Sequence, residues 1–326
     1  MRGNRFGKKI HINPVYKKEL KQSARMPRTA IILLVYNSLM LLFGLFAFYV
    51  TFEGGGRYAS GVDYSDILSI YAIMTGIEFT LILLITPMLT AGTIAGEREK
   101  QTLDILLTTK LSTFQLISGK LASSLSLILL LMISSLPILA IVFSVGGVTL
   151  SDLMQFMLLL FVTSIYIGSI GIFFSVLCRK TTAATVCSYM ALFVLLFGTI
   201  AAAGAVGIVK SLNSEVYYGI LSLYTYYSVK IGPFAFILLI NPLLTFAAML
   251  YDQVGEAAMV MGCLEQAGKA GTFIVRHWFP VSMLLQAGIA AGLLAASQAL
   301  LKSGGKKERI VVRGKRIRNT EKKARQ

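Results

Sequence analysis

Only two histidines and three cysteines occur in 326 residues, and charged side chains make up 14% of the chain. His11 and His277 are far apart, so no histidine pair offers itself to a metal. Cys178, Cys187 and Cys263 are too few and too widely spaced for a disulfide framework. The phosphate-loop pattern GxxxxGK[ST] is absent, since Gly119-Lys120 and Gly268-Lys269 lack the upstream glycine and neither follows a strand. Serines are many, but none stands with a base partner in a recognisable arrangement. The sequence thus gives no support to metal-dependent, nucleotide-hydrolysing or hydrolase chemistry on this chain, and no catalytic residue is expected.

The chain is instead rich in long apolar runs. Hydrophobic residues reach 56% and gather into blocks of about 20 residues, the length that crosses a hydrocarbon core of about 30 Å as a helix. Soluble domains carry about 25% charged residues and need no such runs. The blocks are continuously apolar rather than alternating, which excludes a transmembrane β-barrel. The expected fold is an all-α polytopic membrane protein with six spans near 29–51, 67–91, 121–145, 153–177, 183–209 and 280–301.

A net charge of +16 invites a nucleic-acid reading, but its distribution favours a membrane. Residues 1–28 hold nine Lys/Arg, 92–120 four, 178–182 two and 302–326 eleven, 26 of the 31 in all. The segments on the other side of a six-span topology hold five Lys/Arg against eight acids. Basic residues flank spans on the cytoplasmic side, where anionic headgroups also attract them. Both termini are therefore expected in the cytoplasm of a plasma-membrane protein. The polar stretch of 28 residues before the first run fits a retained anchor rather than a cleaved leader.

Three segments flank or interrupt the spans. In residues 1–28, helical spacing sets Ile12, Tyr16, Leu20 and Ala24 opposite Lys17, Lys18, Lys21 and Arg25. That pattern describes an interfacial amphipathic helix, or else a basic tail, ending at Pro27. Residues 29–301 form the membrane domain, and 302–326 a basic, solvated extension. The stretch 231–250 is apolar enough to be a seventh span, but an odd count would export the basic C-terminus. Asn241-Pro242 lies in its middle, where proline removes a backbone donor and disfavours helix at the preceding residue. A re-entrant or broken hairpin from the outer face is expected, with a kinked ordinary span as the alternative.

Two further features carry functional weight. Glu78 is the only charged residue deep within any run, and a buried carboxylate costs several kcal/mol unless protonated, hydrated or paired. It is expected to face the bundle interior, either touching a substrate pathway or hydrogen-bonding a neighbouring helix as a neutral acid. Gly288, Gly292 and Ala296 recur at four-residue spacing on the last run, as in close helix packing.

The most informative stretch is 86–120, TPMLTAGTIAGEREKQTLDILLTTKLSTFQLISGK. After the charged cluster Glu97, Arg98, Glu99 and Lys100, the run from Thr102 places Leu103, Leu106 and Leu107 at i, i+3, i+4 with Asp104 on the flank. Such a short helix can dock into a partner or lie on the membrane face. The cluster's charges can pair with one another, with span ends or with a partner. Span ends and partner are favoured, since exposed lone pairs contribute only about 0–1 kcal/mol.

This stretch resembles the loop between the second and third spans of ABC-2-type permeases, the membrane subunits of a class of ABC exporters. NPVYKKELKQSAR resembles their opening, and Asn241-Pro242-Leu243 a motif before their last span. The resemblance implies two permeases, identical or paralogous, that pair to form the pathway. It also implies separate ATPase subunits that bind ATP and Mg and grip the cytoplasmic loops. Residues 102–109 would be the coupling helix, Glu97–Lys100 its neck, and the turn Arg179-Lys180-Thr181-Thr182 a second contact. Family members often carry proline where this chain has Lys110, which bears on the stiffness of the turn. A non-transporting membrane anchor or signalling scaffold is the other function kept open.

Overall fold

The computed structural model describes Tyr16, residues 27–53, 64–103, 112–145, 149–206, 232–254, Ile274 and 277–324. Every regular element among them is helical. The long helices are α1 (Pro27–Glu53), α2 (Tyr64–Glu99), α3 (Thr113–Val145), α4 (Leu150–Leu177) and α5 (Thr181–Phe193). A π-helical turn, Val194–Gly198, follows α5, and the helical path continues to Val206. Then come a 3-10 helix, Gly232–Ile240, the short α6 (Pro242–Val254) and the long α7 (Trp278–Ala324). Backbone groups in lipid must be satisfied within the segment, which is why apolar runs of this length fold as helices.

Six of these stretches are long and apolar enough to cross a membrane: Thr29–Thr51, Leu68–Glu99, Thr113–Ile141, Leu150–Leu177, Thr181–Val206 and Trp278–Ser303. They match the six expected runs, but α2 extends to Glu99 and α3 begins at Thr113, so the charged cluster is the last turn of α2. Cross-helix contacts fix the directions. Tyr36 meets Glu78 while Gly44 meets Met74, so α1 and α2 are antiparallel. Lys120 reaches Glu97 and Ser135 reaches Glu78, so α3 also opposes α2. Thr86 and Thr90 meet Gly168 and Gly171, so α4 runs parallel to α2. Leu301 packs with Ile94 and Leu103, bringing the membrane-crossing part of α7 down to the same end. With six alternating crossings, α1 begins and that part of α7 ends on the side where Glu97 lies.

The helices α2 and α4 form the centre. The face of α4 toward α2 carries Ser164, Gly168, Gly171 and Ser175, all buried. A Cβ at Gly171 would lie 2.0 Å from Thr90 Oγ1 and 2.9 Å from Thr90 Cβ, so only glycine permits this separation. The small-residue spacing anticipated on the last run plays no such part: Cβ atoms at Gly288 and Gly292 would meet nothing within 4 Å. Around the seam, Tyr36, Met40, Met74, Phe79, Ile128, Leu131, Phe156 and Tyr166 close one main core. Exposed Leu, Phe and Met side chains such as Leu34, Phe46, Leu84, Met190 and Leu284 cover the outside, as a lipid-facing surface requires. The backbone of α7 stays helical past Leu301 to Ala324, so the basic stretch 302–324 prolongs the last span. At about 1.5 Å per residue its 47 residues extend about 70 Å, well beyond a bilayer core.

Candidate functional site: the charged end of α2

The last turn of α2 presents three consecutive charges to three different elements. Glu97 Oε1 lies 2.7 Å from Lys120 Nζ on α3. Lys120, only 4% exposed, donates a second bond to the carbonyl of Thr93 at 3.0 Å. Arg98 Nη1 donates to the carbonyls of Val176 and Cys178 at 2.8 and 3.0 Å. Those oxygens belong to the end of α4, where a cation complements the helix dipole and satisfies orphan acceptors. Glu99 Oε2 accepts from the backbone N–H and the hydroxyl of Thr181, at 3.1 and 2.8 Å, at the start of α5. An acid there meets the positive end of a helix whose N-cap residue, Lys180, supplies no cap. One helical turn thus binds α3, the end of α4 and the start of α5.

The helix ends by geometry that no glycine announces. Thr102 N–H donates to the Glu97 carbonyl and Gln101 N–H to the Arg98 carbonyl, the two bonds of a Schellman cap. Gln101 takes the left-handed position with φ 59°, a place usually filled by glycine. The chain then turns inward. Leu103 is buried against Ile94, Leu116, Ile117, Leu121, Ile172, Val176 and Leu301. It packs within this chain's own core, so the leucine triplet does not face outward as one stripe.

Thr102 and Lys100 are exposed, as are Arg179 and Lys180 in the bend joining α4 to α5. Asp104, Leu106 and Leu107 lie outside the described residues, as does the amphipathic N-terminal stretch except Tyr16. The Tyr16 hydroxyl stands 3.0 Å from Ser126 Oγ on α3. Lys120 entered the sequence reading only as part of a failed phosphate loop. Its signal was available: a lone lysine two turns into an apolar helix that opposes an acid-bearing one.

A second polar joint lies farther along α5. Asn241 separates the 3-10 helix from α6 and is fully buried. Its Oδ1 accepts from Leu243 N–H at 2.9 Å, an N-cap followed by proline at the first helical position. Its Nδ2 donates to the Leu196 carbonyl and Thr199 Oγ1, both at 2.8 Å. Leu196 lies in the π-helical turn, a local departure from the α-helical ladder. Thr245, Ser282 and Gln286 complete a buried neutral network with the Leu239 carbonyl. The expected break at Asn241-Pro242 is present as this change of helix type.

Mid-depth, Glu78 is fully buried where α1, α2 and α3 meet. The Tyr36 hydroxyl donates to its Oε1 at 3.3 Å, and Ser135 Oγ lies 2.5 Å from the same oxygen. Its Oε2 has no hydrogen-bond partner.

Six apolar crossings and a glycine-lined central seam, with charges gathered near helix ends except for Glu78, define a multi-pass membrane-domain protein. The sequence matches the ABC-2 family transporter protein description over residues 13–250, most of the chain, and the chain belongs to that family. That match covers α1 to α5 together with the Asn241 joint and most of α6. No curated protein matches the chain. The family is a membrane component of transport, and its association with ABC ATPase subunits follows from membership.

Proposed function

We propose that this chain is the permease subunit of an ABC exporter, coupled to separate ATPase subunits through the end of α2 and the α4–α5 bend. The side bearing Glu97 is the cytoplasmic one, in keeping with the concentration of Lys/Arg in 1–28, 92–120, 178–182 and 302–326. Two permeases, identical or paralogous, pair to enclose the pathway. The segment 102–109 is the coupling helix, with Thr102, Asp104, Leu106 and Leu107 offered to the ATPase and the buried Leu103 tying its start to the core. Arg179 and Lys180 make the second contact. ATP and Mg reside on the partner. The stretch 232–254 enters from the outer face as a broken, re-entrant element, and residues 12–24 lie along the cytoplasmic interface.

The observation that carries this reading is the three-way attachment of the α2 end. Driving a membrane domain from outside requires a rigid lever with different contacts in two states. Here a push on the segment after Gln101 bears on α2, and through Glu97, Arg98 and Glu99 on α3, α4 and α5 together. No loop needs to stretch. The test is Leu106→Glu in the chain co-purified with its ATPase. Stimulated ATP hydrolysis should fall at least tenfold while membrane assembly persists. Unchanged stimulation would remove the coupling role of 102–109. Purification of the tagged chain without any ATP-binding subunit would favour the scaffold reading instead.

A further inference from the structure

We propose that Glu78, with Tyr36 and Ser135, forms an intramembrane proton-binding site in which the glutamate is held as a neutral acid that pins α1 and α3 to α2. Hydrogen counting leads there. Ser135 has one hydroxyl hydrogen, yet its oxygen stands 2.5 Å from Glu78 Oε1 and 2.8 Å from the Met132 carbonyl. Serines within helices commonly give their hydrogen to the carbonyl three or four residues back, and Met132 is that acceptor here. The short contact with Glu78 then needs a hydrogen from the carboxyl group. Assigned in this way, Glu78 donates to Ser135, Ser135 to Met132, and Tyr36 to the acid's hydroxyl oxygen. Each hydrogen has one acceptor.

The remaining oxygen agrees. Glu78 Oε2 is buried without a partner. In a neutral acid it is an unpaired carbonyl oxygen, a modest cost. In a carboxylate it would carry half a negative charge in a buried setting with no cationic side chain among the described residues beside it, a far greater cost. Among the described residues no lysine, arginine or histidine pairs with Glu78. The ionisable groups around it are Tyr36 on α1 and Tyr71 on α2, with Asp152 of α4 in electrostatic reach of Tyr71. The facing residue of α3 is Ser135, and α6 covers the next position with Phe246 stacked on Phe79 at 4.5 Å. None of these supplies a positive charge.

This site does not depend on the coupling reading, and its test is separate. Infrared spectra of the reconstituted protein at neutral pH should contain the carbonyl band of a protonated carboxyl group, because solvated acids are ionised there. The band should vanish in Glu78→Gln. It should shift in frequency in Ser135→Ala and in Tyr36→Phe, which remove its hydrogen-bond partners without touching the acid. These shifts need no folded Glu78→Gln protein and would not follow from a merely structural role. Absence of the band from the wild-type spectrum, or its survival in Glu78→Gln, overturns the proposal. A band unmoved by both partner substitutions removes Tyr36 and Ser135 from the site.

Discussion

The end of α2 and the Asn241 joint perform the same task with different chemistry. Each ties several helices through side chains that reach backbone groups on neighbouring elements. At the α2 end the work is done by full charges: Glu97 on Lys120, Arg98 on the last carbonyls of α4, Glu99 on the first N–H of α5. At Asn241 it is done by amides and hydroxyls alone. The difference tracks solvent. Glu97 keeps 24% side-chain exposure and Glu99 is exposed, whereas Asn241, Thr245, Ser282 and Gln286 are at most 1% exposed. Charge is affordable at the aqueous edge and costly inside, so the same fold uses strong, salt-sensitive ties at one level and weaker, permanent ones at the other.

The sharpest way to break the contrast is Lys120→Met. It leaves Glu97 beside an apolar side chain, and one-sided loss of a largely buried pair costs about 3 kcal/mol. Thermal unfolding in detergent should show the largest loss of this series, and adding Glu97→Gln should restore part of it. Asn241→Leu comes next. It removes the bonds to the Leu196 carbonyl and the Thr199 hydroxyl together with the cap of α6, but interhelical hydrogen bonds within membranes are worth only about 0.6–2 kcal/mol, so the loss should be of that size. Added salt should narrow the gap between wild type and Glu99→Gln, which loses an exposed charge, while leaving the largely buried Lys120→Met and the neutral Asn241→Leu nearly unchanged, by the same assay.

Smaller effects refine the edge. Glu99→Gln keeps a hydrogen-bond acceptor at Thr181 and loses only the charge at the start of α5, so its loss of Tm should be smaller than either of the preceding ones. Gln101→Gly should instead stabilise the resting protein by about 1 kcal/mol, because it removes the cost of a left-handed backbone at a residue bearing Cβ. A fall in Tm for that variant would show that Gln101's side chain outweighs its backbone strain.

The crossings were legible because hydrocarbon thickness imposes a length that only apolar runs satisfy. The boundary of the second one was not. A helix carrying Glu97, Arg98 and Glu99 looks finished by composition, and its true end is set by Gln101, which lacks the signal glycine gives. The four-residue spacing at Gly288, Gly292 and Ala296 and the small-residue face at Gly168 and Gly171 look alike in sequence. Only the presence of Thr90 opposite makes the second a seam. Leu103 teaches the same lesson, since an i, i+3, i+4 pattern identifies a covered face without saying what covers it. Glu78 stood out as a lone charge, whereas its hydrogen-bond partners Tyr36 and Ser135 lie 42 and 57 residues away and were invisible to local reading.

The central claim is that Arg98, with its two acid neighbours, passes motion from the ATPase contact into α4 and α5. ATP-driven transport and ATP hydrolysis should therefore be measured together in vesicles containing the Arg98→Ala permease and its ATPase. The expected result is an assembled complex whose hydrolysis continues but whose transport per ATP falls at least tenfold. Transport per ATP equal to wild type, in a complex of normal composition, would contradict it.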